Sequence, residues 1–145
     1  MTLTFLVVDD NETDRELLTS LIRSTGNVAL LAAGGDEALL LAAEHRPDVI
    51  LLDLAMPGTD GFDVLAALAA DDDLRAIRVI SVSWLSPEDI RAHLARTPHP
   101  RAASAQIDSS VEKPVLPTQF IAMVRAMSGA PAAPARAPQP TRRSS

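Results

Sequence analysis

Two groups of acidic residues end apolar runs that have the pattern of buried strands. Asp53 follows the run Val-Ile-Leu-Leu at 49–52, and Asp9 and Asp10 follow the apolar stretch 2–8. A carboxylate is costly inside such a strand unless it lies at the strand's end, where a loop opens to water. If the two strands are parallel neighbours, three like charges share one crevice, which is unfavourable without a cation. A hard ion that prefers oxygen ligands, such as Mg²⁺, would relieve this repulsion.

The chain alternates strand-like and helix-like patterns five times. Right-handed crossovers between such units place helices on both faces of one parallel sheet, so the predicted fold class is α/β. Residues 97–104 are expected to form a loop. The expected strands cover residues 2–8, 28–32, 49–52, 79–82 and 106–112.

Polar side chains follow four of these strands at the same edge of the predicted sheet. Ser83 ends the fourth strand and Lys113 follows the fifth, just as Asp9 and Asp53 follow the first and third. The carboxyl ends of parallel strands form the ligand crevice of open α/β sheets. Four independent polar interruptions therefore indicate one functional site.

Composition excludes several other classes of protein. The 145 residues carry a net charge of −6 and contain no cysteine, so nucleic-acid binding, a disulfide framework and a thiolate zinc site are not expected. No apolar run approaches the roughly 18 to 20 residues that span a bilayer, and no basic segment precedes the first apolar stretch. A cytoplasmic protein without membrane contact is expected. Residues 129–145, rich in Ala, Pro and Arg, are expected to be a disordered tail.

Four short motifs resemble those of the receiver domains of two-component response regulators. The resemblance covers about residues 3–128 and implies a CheY-like fold, the flavodoxin-like (βα)5 doubly wound sheet with five parallel strands in the order 2-1-3-4-5. A stand-alone receiver over residues 1–128 is expected, because the segment after it is too short and too polar to form an effector domain. The motifs are VVDDN at 7–11, DLAMPGTDGFDVL at 53–65, VISVS at 79–83 and EKP at 112–114.

The resemblance implies a phosphoacceptor and a metal site. Asp53 would accept the phosphoryl group. Asp10 would bind Mg²⁺ directly and Asp9 through water, and Asp53 and the backbone carbonyl of Ala55 would complete the protein ligands. A carboxylate becomes a usable nucleophile toward a phosphoryl group when the negative charges of both are offset, which Mg²⁺ can do.

The resemblance also assigns two residues to the phosphoryl group itself. Ser83 stands at the position of the hydroxyl that binds it, and Lys113 at the position of its cationic anchor. The bond Lys113–Pro114 is typically cis in this family, which would fix the approach of the lysine.

Three features depart from the family pattern. Trp84 stands where a small residue is usual, and its indole is expected to change the rate of dephosphorylation. Ser110 stands where the family often has a Tyr or Phe that moves with the hydroxyl residue, so aromatic coupling from the site to an output face is not expected. The interval from Ser83 to Lys113 is about eight residues longer than usual, with the excess near 97–104, and altered partner specificity is expected there.

The expected function is signalling. The donor would be a sensor histidine kinase or a histidine phosphotransfer protein, and the output would be binding of an unknown protein target or a phosphorelay, by a monomer or weak homodimer. It would not be an enzyme beyond catalysing its own modification. One alternative is a degenerate receiver that acts as a phosphorylation-independent adaptor. Another is an aspartyl-phosphate phosphatase of the haloacid dehalogenase type. That family needs a second acid two residues after the nucleophile, and this position is occupied by Ala55.

Overall fold

The strands form one parallel sheet whose three interior strands are almost entirely buried. The computed structural model describes residues 2–56, 61–97 and 100–129. The sheet order is β2-β1-β3-β4-β5, which confirms the predicted flavodoxin-like topology. The strands are β1 (Thr4–Val8), β2 (Val28–Ala32), β3 (Val49–Leu52), β4 (Arg78–Ser83) and β5 (Ile107–Glu112).

Helices connect the strands, and side chains cap two of them. The Asn11 side chain accepts a hydrogen bond from the N–H of Asp14, and the Ser86 hydroxyl accepts one from the N–H of Asp89. Such caps satisfy backbone donors that a helix start leaves free. The helices are α1 (Glu12–Ser24), α2 (Gly35–His45), α3 (Gly61–Ala70), α4 (Pro87–Leu94), α5 (Pro100–Gln106) and α6 (Pro117–Met127).

The two faces of the sheet bury separate apolar clusters. Leu6 and Val8 of β1 pack with residues of α2, α3, α4 and α5, while Phe5 and Val7 pack with residues of α1 and α6. Successive side chains of a strand point to opposite faces, so one run of apolar residues serves both clusters. This packing holds the carboxyl ends of β1 and β3 in fixed positions.

The expectation of a loop at 97–104 is wrong, because residues from Pro100 onward form α5. Proline is favoured at the first position of a helix, and this segment is rich in alanine, which has the highest helix propensity. Ala103 is fully buried, and the Gln106 side chain donates to the carbonyls of Leu74 and Ile77 at 2.9 and 3.1 Å. The residues of α5, which lie in the lengthened interval between Ser83 and Lys113, therefore pack against the rest of the domain.

Smaller differences concern boundaries and coverage. β1 begins at Thr4 rather than at residue 2, and β5 begins one residue later than expected. Within the described ranges, no helix is both long enough and apolar enough to cross a membrane. The expected disordered tail, apart from Gly129, lies outside the described residues, as do residues 57–60 of the loop after Asp53.

Candidate functional site

Three site residues are fixed by backbone hydrogen bonds that extend the sheet by one residue. The N–H of Asp9 donates to Ala32 of β2, that of Asp53 donates to Val8 of β1, and that of Lys113 donates to Ser83 of β4. The N···O distances are 3.2, 2.9 and 2.9 Å. Each side chain therefore leaves the carboxyl edge of the sheet from a rigid backbone position, as the strand pattern predicted.

The Lys113 ammonium lies at the centre of the site. Its Nζ is 2.9 Å from Asp9 Oδ2, 2.9 Å from Asp14 Oδ2 and 3.3 Å from Asp53 Oδ2. The side chains of Lys113, Asp9 and Asp53 are 4%, 1% and 6% exposed, so these are buried ion pairs. An ammonium has three N–H donors, and each has a carboxylate acceptor here.

Oxygen atoms from Asp9, Asp10 and Asp53 come together beside the ammonium. One carboxylate oxygen from each of these residues lies within 4.8 Å of the other two. Asp10 is exposed, whereas the other two are buried. Carboxylate oxygens in a partly open cluster are the ligands that Mg²⁺ prefers, so the residues fit the ion that the sequence predicted. The N–H of Ala55 donates to Asp53 Oδ1 at 3.0 Å, which places Ala55 beside the cluster.

Burial and charge act in opposite directions on the two central groups. Burial raises the pKa of Asp53, and the Ala55 N–H and the Lys113 charge oppose that shift only in part. For Lys113, burial lowers the pKa, but hydrogen bonds to Asp9 and Asp14 and the charge of Asp53 reverse this effect and raise it above its ordinary value. The lysine is therefore a permanent cation, and ionised Asp53 is held at a cost that an added cation would reduce.

Asp9 is held by more than its contact with Lys113. Asp9 Oδ1 accepts the N–H of Asn11 at 2.9 Å, and the Arg15 guanidinium donates to the Asp9 carbonyl at 2.9 Å. The connection between β1 and α1 is thus held by one hydrogen bond within it and by another from Arg15 of α1, which orients the Asp9 carboxylate toward the crevice.

Ser83 lies at the end of β4, as predicted, and is buried. Its hydroxyl accepts the N–H of Leu85 at 3.3 Å. The peptide bond Lys113–Pro114 is cis, the isomer that the resemblance implied.

The two unusual residues lie in different surroundings. Trp84 is 67% exposed and borders a groove that also contains Lys113 and Asp14. Ser110 is exposed, and its hydroxyl forms a 2.7 Å hydrogen bond with that of Ser81 on the neighbouring strand. Trp84 is therefore adjacent to the site. Ser110, which has no aromatic ring, is instead hydrogen-bonded to the neighbouring strand.

Sequence reasoning missed two residues of the site, Asp14 and Gly61. An acid in the first turn of a helix is usually explained by the helix dipole, so Asp14 gave no separate signal. Gly61 begins α3, and a β-carbon there would overlap with backbone atoms of Asp53 and Leu54. A glycine at a helix start is common, and only the tertiary structure reveals this contact.

Known proteins share both the sequence and the fold. Residues 5–125 match the family described as the response regulator receiver domain. The polar-differentiation response regulator DivK of Brucella anthropi is 33% identical over 124 residues, which cover 86% of this chain and 94% of that protein. The chemotaxis response regulator CheY4 of Vibrio cholerae superposes with a TM-score of 0.72 at 23% identity, over 87% of this chain and 98% of that one.

A second solved structure holds a metal ion. The receiver domain of the sensor histidine kinase PA1611 from Pseudomonas aeruginosa PAO1 has a magnesium ion coordinated in its active site cleft. It superposes with a TM-score of 0.73 at 22% identity, covering 90% of this chain and all of that one. With residues 5–125 matched to the family and a curated relative at 33% identity, this chain belongs to the response regulator receiver domains of two-component systems.

Proposed function

We propose that this receiver accepts a phosphoryl group on Asp53 from the phosphohistidine of a sensor kinase or a histidine phosphotransfer protein. The observation that carries the proposal is the Lys113 ammonium held between Asp53 and Asp9, with the oxygen cluster of Asp9, Asp10 and Asp53 beside it. A nucleophilic carboxylate, an oxygen site for a divalent cation and a fixed ammonium are the components that phosphoryl transfer to an aspartate requires.

The ion in this proposal is Mg²⁺. Asp9, Asp10, Asp53 and the backbone carbonyl of Ala55 would hold it, Asp9 through water. When bound, Mg²⁺ supplies positive charge that offsets the charge of the transferred group. The magnesium ion in the PA1611 receiver domain supports this choice of metal.

The protein residues have separate roles in the transfer step. A carboxylate oxygen of Asp53 attacks phosphorus and forms a phosphorus–oxygen bond as the phosphorus–nitrogen bond to the donor imidazole breaks. The bonding electrons leave with the imidazole nitrogen. The ring departs as neutral imidazole when its other nitrogen already carries a proton, and otherwise takes a proton from solvent as it leaves. Lys113 stabilises the charge on the phosphoryl oxygens, and the Ser83 hydroxyl binds one of them after the transfer.

The product explains why the output is a state and not a stable modification. An aspartyl phosphate is a mixed anhydride that water hydrolyses, so the mark is temporary. While it lasts, the phosphoryl oxygens draw Ser83 and Lys113 toward them and bias the conformations of nearby segments. The proposed output is binding of a downstream protein or transfer in a phosphorelay, by a cytoplasmic monomer or weak homodimer with no substrate turnover of its own.

The test uses a small phosphodonor and intact mass. The full chain is incubated with acetyl phosphate and Mg²⁺, beside Asp53→Ala and a control, Asp36→Ala, in which an exposed acid of α2 is lost. We expect a gain of one phosphoryl group in the parent and the control, none in Asp53→Ala, and none in the parent when EDTA removes the metal.

The same experiment separates the proposal from the adaptor alternative. An unmodified parent in saturating Mg²⁺ and donor would contradict phosphoacceptance and favour a receiver that binds partners independently of phosphorylation. Modification of Asp53→Ala to the same extent as the parent would move the acceptor to another residue and overturn the assignment of Asp53.

A further inference from the structure

Asp14 is the third carboxylate partner of Lys113, and the proposed phosphoryl chemistry gives it no role. Its Oδ2 lies 2.9 Å from Nζ, as close as Asp9 and closer than the phosphoacceptor Asp53 at 3.3 Å. Asp14 comes from α1, whereas Asp9 and Asp53 follow β1 and β3. The ammonium is thus shared between the sheet edge and a helix beside it.

The position of Asp14 is fixed by the start of α1. Its backbone N–H donates to the Asn11 side chain at 2.9 Å, which caps the helix. Its side chain is 34% exposed, compared with 1% for Asp9 and 6% for Asp53. Asp14 therefore approaches Lys113 from the solvent side while the other two carboxylates contact it from the interior.

The three N–H donors of the ammonium limit what it can do for a phosphoryl group. All three have carboxylate acceptors, so a phosphoryl oxygen must take a donor from one of them. Asp14 also adds a fourth negative charge to Asp9, Asp10 and Asp53, which repels an arriving anion but attracts a divalent cation. The charge of Asp14 therefore favours the binding of Mg²⁺ and disfavours the binding of the phosphoryl group.

We infer that Asp14 is a positioning residue that holds the Lys113 ammonium toward α1, favouring Mg²⁺ and weakening the grip of the site on the phosphoryl group. This inference rests on the function proposed above. It makes Asp14 a determinant of how strongly the phosphorylated state is favoured, through Lys113 and without contact between Asp14 and the reacting atoms.

The decisive comparison is the parent with Asp14→Asn, which keeps the shape and removes the charge. The control is Glu12→Gln, which removes an exposed carboxylate from the same helical turn, and the carboxylate partners of Lys113 among the described residues do not include Glu12. Two ligands are titrated into each protein by calorimetry and by the fluorescence of Trp84, the only tryptophan. The first is Mg²⁺ alone. The second is trifluoroberyllate at saturating Mg²⁺, an analogue of the phosphoryl group on aspartate.

We expect opposite changes in the two affinities. Asp14→Asn is expected to bind trifluoroberyllate more tightly, by on the order of tenfold for a partly exposed charge at this distance, and Mg²⁺ several times more weakly. Glu12→Gln is expected to match the parent. Loss of structure would lower the affinity for both ligands. Tighter binding of trifluoroberyllate is therefore a result that a purely structural role does not produce.

The remaining outcomes are also decisive. Equal or weaker trifluoroberyllate binding by Asp14→Asn, with binding by the parent intact, would overturn the role of Asp14 and leave the proposed function standing. No trifluoroberyllate binding by the parent would instead contradict the proposed function and the inference with it. Lys113 is the only lysine in the chain, so lysine-specific ¹⁵N labelling gives one ammonium signal. That signal is expected to shift in Asp14→Asn and not in Glu12→Gln.

Discussion

Gly61 lies so close to Asp53 that a β-carbon at position 61 would overlap with the Asp53 carbonyl oxygen. The same β-carbon would meet the α-carbon of Leu54, which is fully buried. The start of α3 and the residue after β3 are thus in direct backbone contact, and only a residue without a side chain permits it. The position of Asp53, the proposed phosphoacceptor, therefore depends on the first residue of the next helix as well as on its own strand.

Gly61→Ala is expected to displace the backbone of Asp53 and Leu54. Neither atom belongs to a flexible side chain, so relief requires movement of α3 or of the loop, at a cost of about 2 kcal/mol or more in unfolding free energy. Urea unfolding measures this cost. Mg²⁺ binding, followed by Trp84 fluorescence, is expected to weaken as well because the Asp53 carboxylate moves.

Gly34→Ala provides the matched control for that substitution. No atom lies within 4 Å of a β-carbon at Gly34, and its φ of −161° is open to any residue. Its expected cost is at most about 1 kcal/mol, since only the preference for glycine over alanine at a helix N-cap is lost. Equal unfolding free energies for the two variants would contradict the contact between Gly61 and Asp53.

Lys113→Met is expected to destabilise the metal-free protein strongly. It removes the countercharge of Asp9 and Asp53, both buried, and loss of one partner of a buried ion pair costs about 3 to 5 kcal/mol. Chemical denaturation in EDTA measures the loss. Added Mg²⁺ is expected to restore part of it, since a ligand at a hundredfold excess over its dissociation constant stabilises the native state by about 2.7 kcal/mol.

The double variant Asp53→Asn/Lys113→Met identifies the cause of that loss. Burial raises the pKa of Asp53, so its ionised form is unfavourable in the fold. Removing its charge is therefore expected to recover stability in the Lys113→Met background. If the double variant were no more stable than Lys113→Met in EDTA, the unpaired charge of Asp53 would not be the cause of the loss.

The sequence predicted the positions of Asp9, Asp53 and Ser83 because each follows or ends an apolar run, whereas Lys113 follows a strand with only two large apolar residues and was placed with the help of the EKP motif at 112–114. Strand ends are local features, and parallel topology brings them to one edge. Asp14 was missed because its partner, Lys113, is 99 positions away in the sequence. Gly61 was missed because its close contact with the loop after β3 appears only in the folded chain. Their local patterns, an acid in a first turn and a glycine at a helix start, have sufficient local explanations.

The segment of α5 shows a second limit of the sequence pattern. The segment is too short to show a helical repeat of apolar residues, and its prolines and alanines suggested a loop. The buried contacts of Ala103 and Gln106 with the body of the domain determine its structure. Short helices of this kind are stabilised by tertiary packing more than by intrinsic propensity.

Gln106→Ala is expected to destabilise the domain by about 1 to 3 kcal/mol, the usual cost of leaving a buried polar group without its partner. The Gln106 amide nitrogen donates to the carbonyls of Leu74 and Ile77, just before β4. Thermal or urea unfolding measures the loss, with Ser104→Ala, at an exposed position of α5, as control. An unchanged midpoint in Gln106→Ala would contradict the anchoring of α5 through this side chain.

The expected effect of this segment on partner specificity stays a prediction, and point variants on its exposed face test it better than deletion does.

Trp84→Ala is expected to shorten the lifetime of the phosphorylated protein severalfold. The indole borders the groove beside Lys113, whose side chain is only 4% exposed. Removal of the indole therefore opens a route for water toward the ammonium and the phosphoryl group. Lifetime is measured by intact mass after the donor has been removed. Trp84→Phe is expected to retain most of the parent lifetime because a ring still covers the groove, and Leu40→Ala, which removes an exposed apolar residue of α2, is expected to have no effect. Equal lifetimes for Trp84→Ala and the parent would show that the ring does not control the access of water to the phosphoryl group.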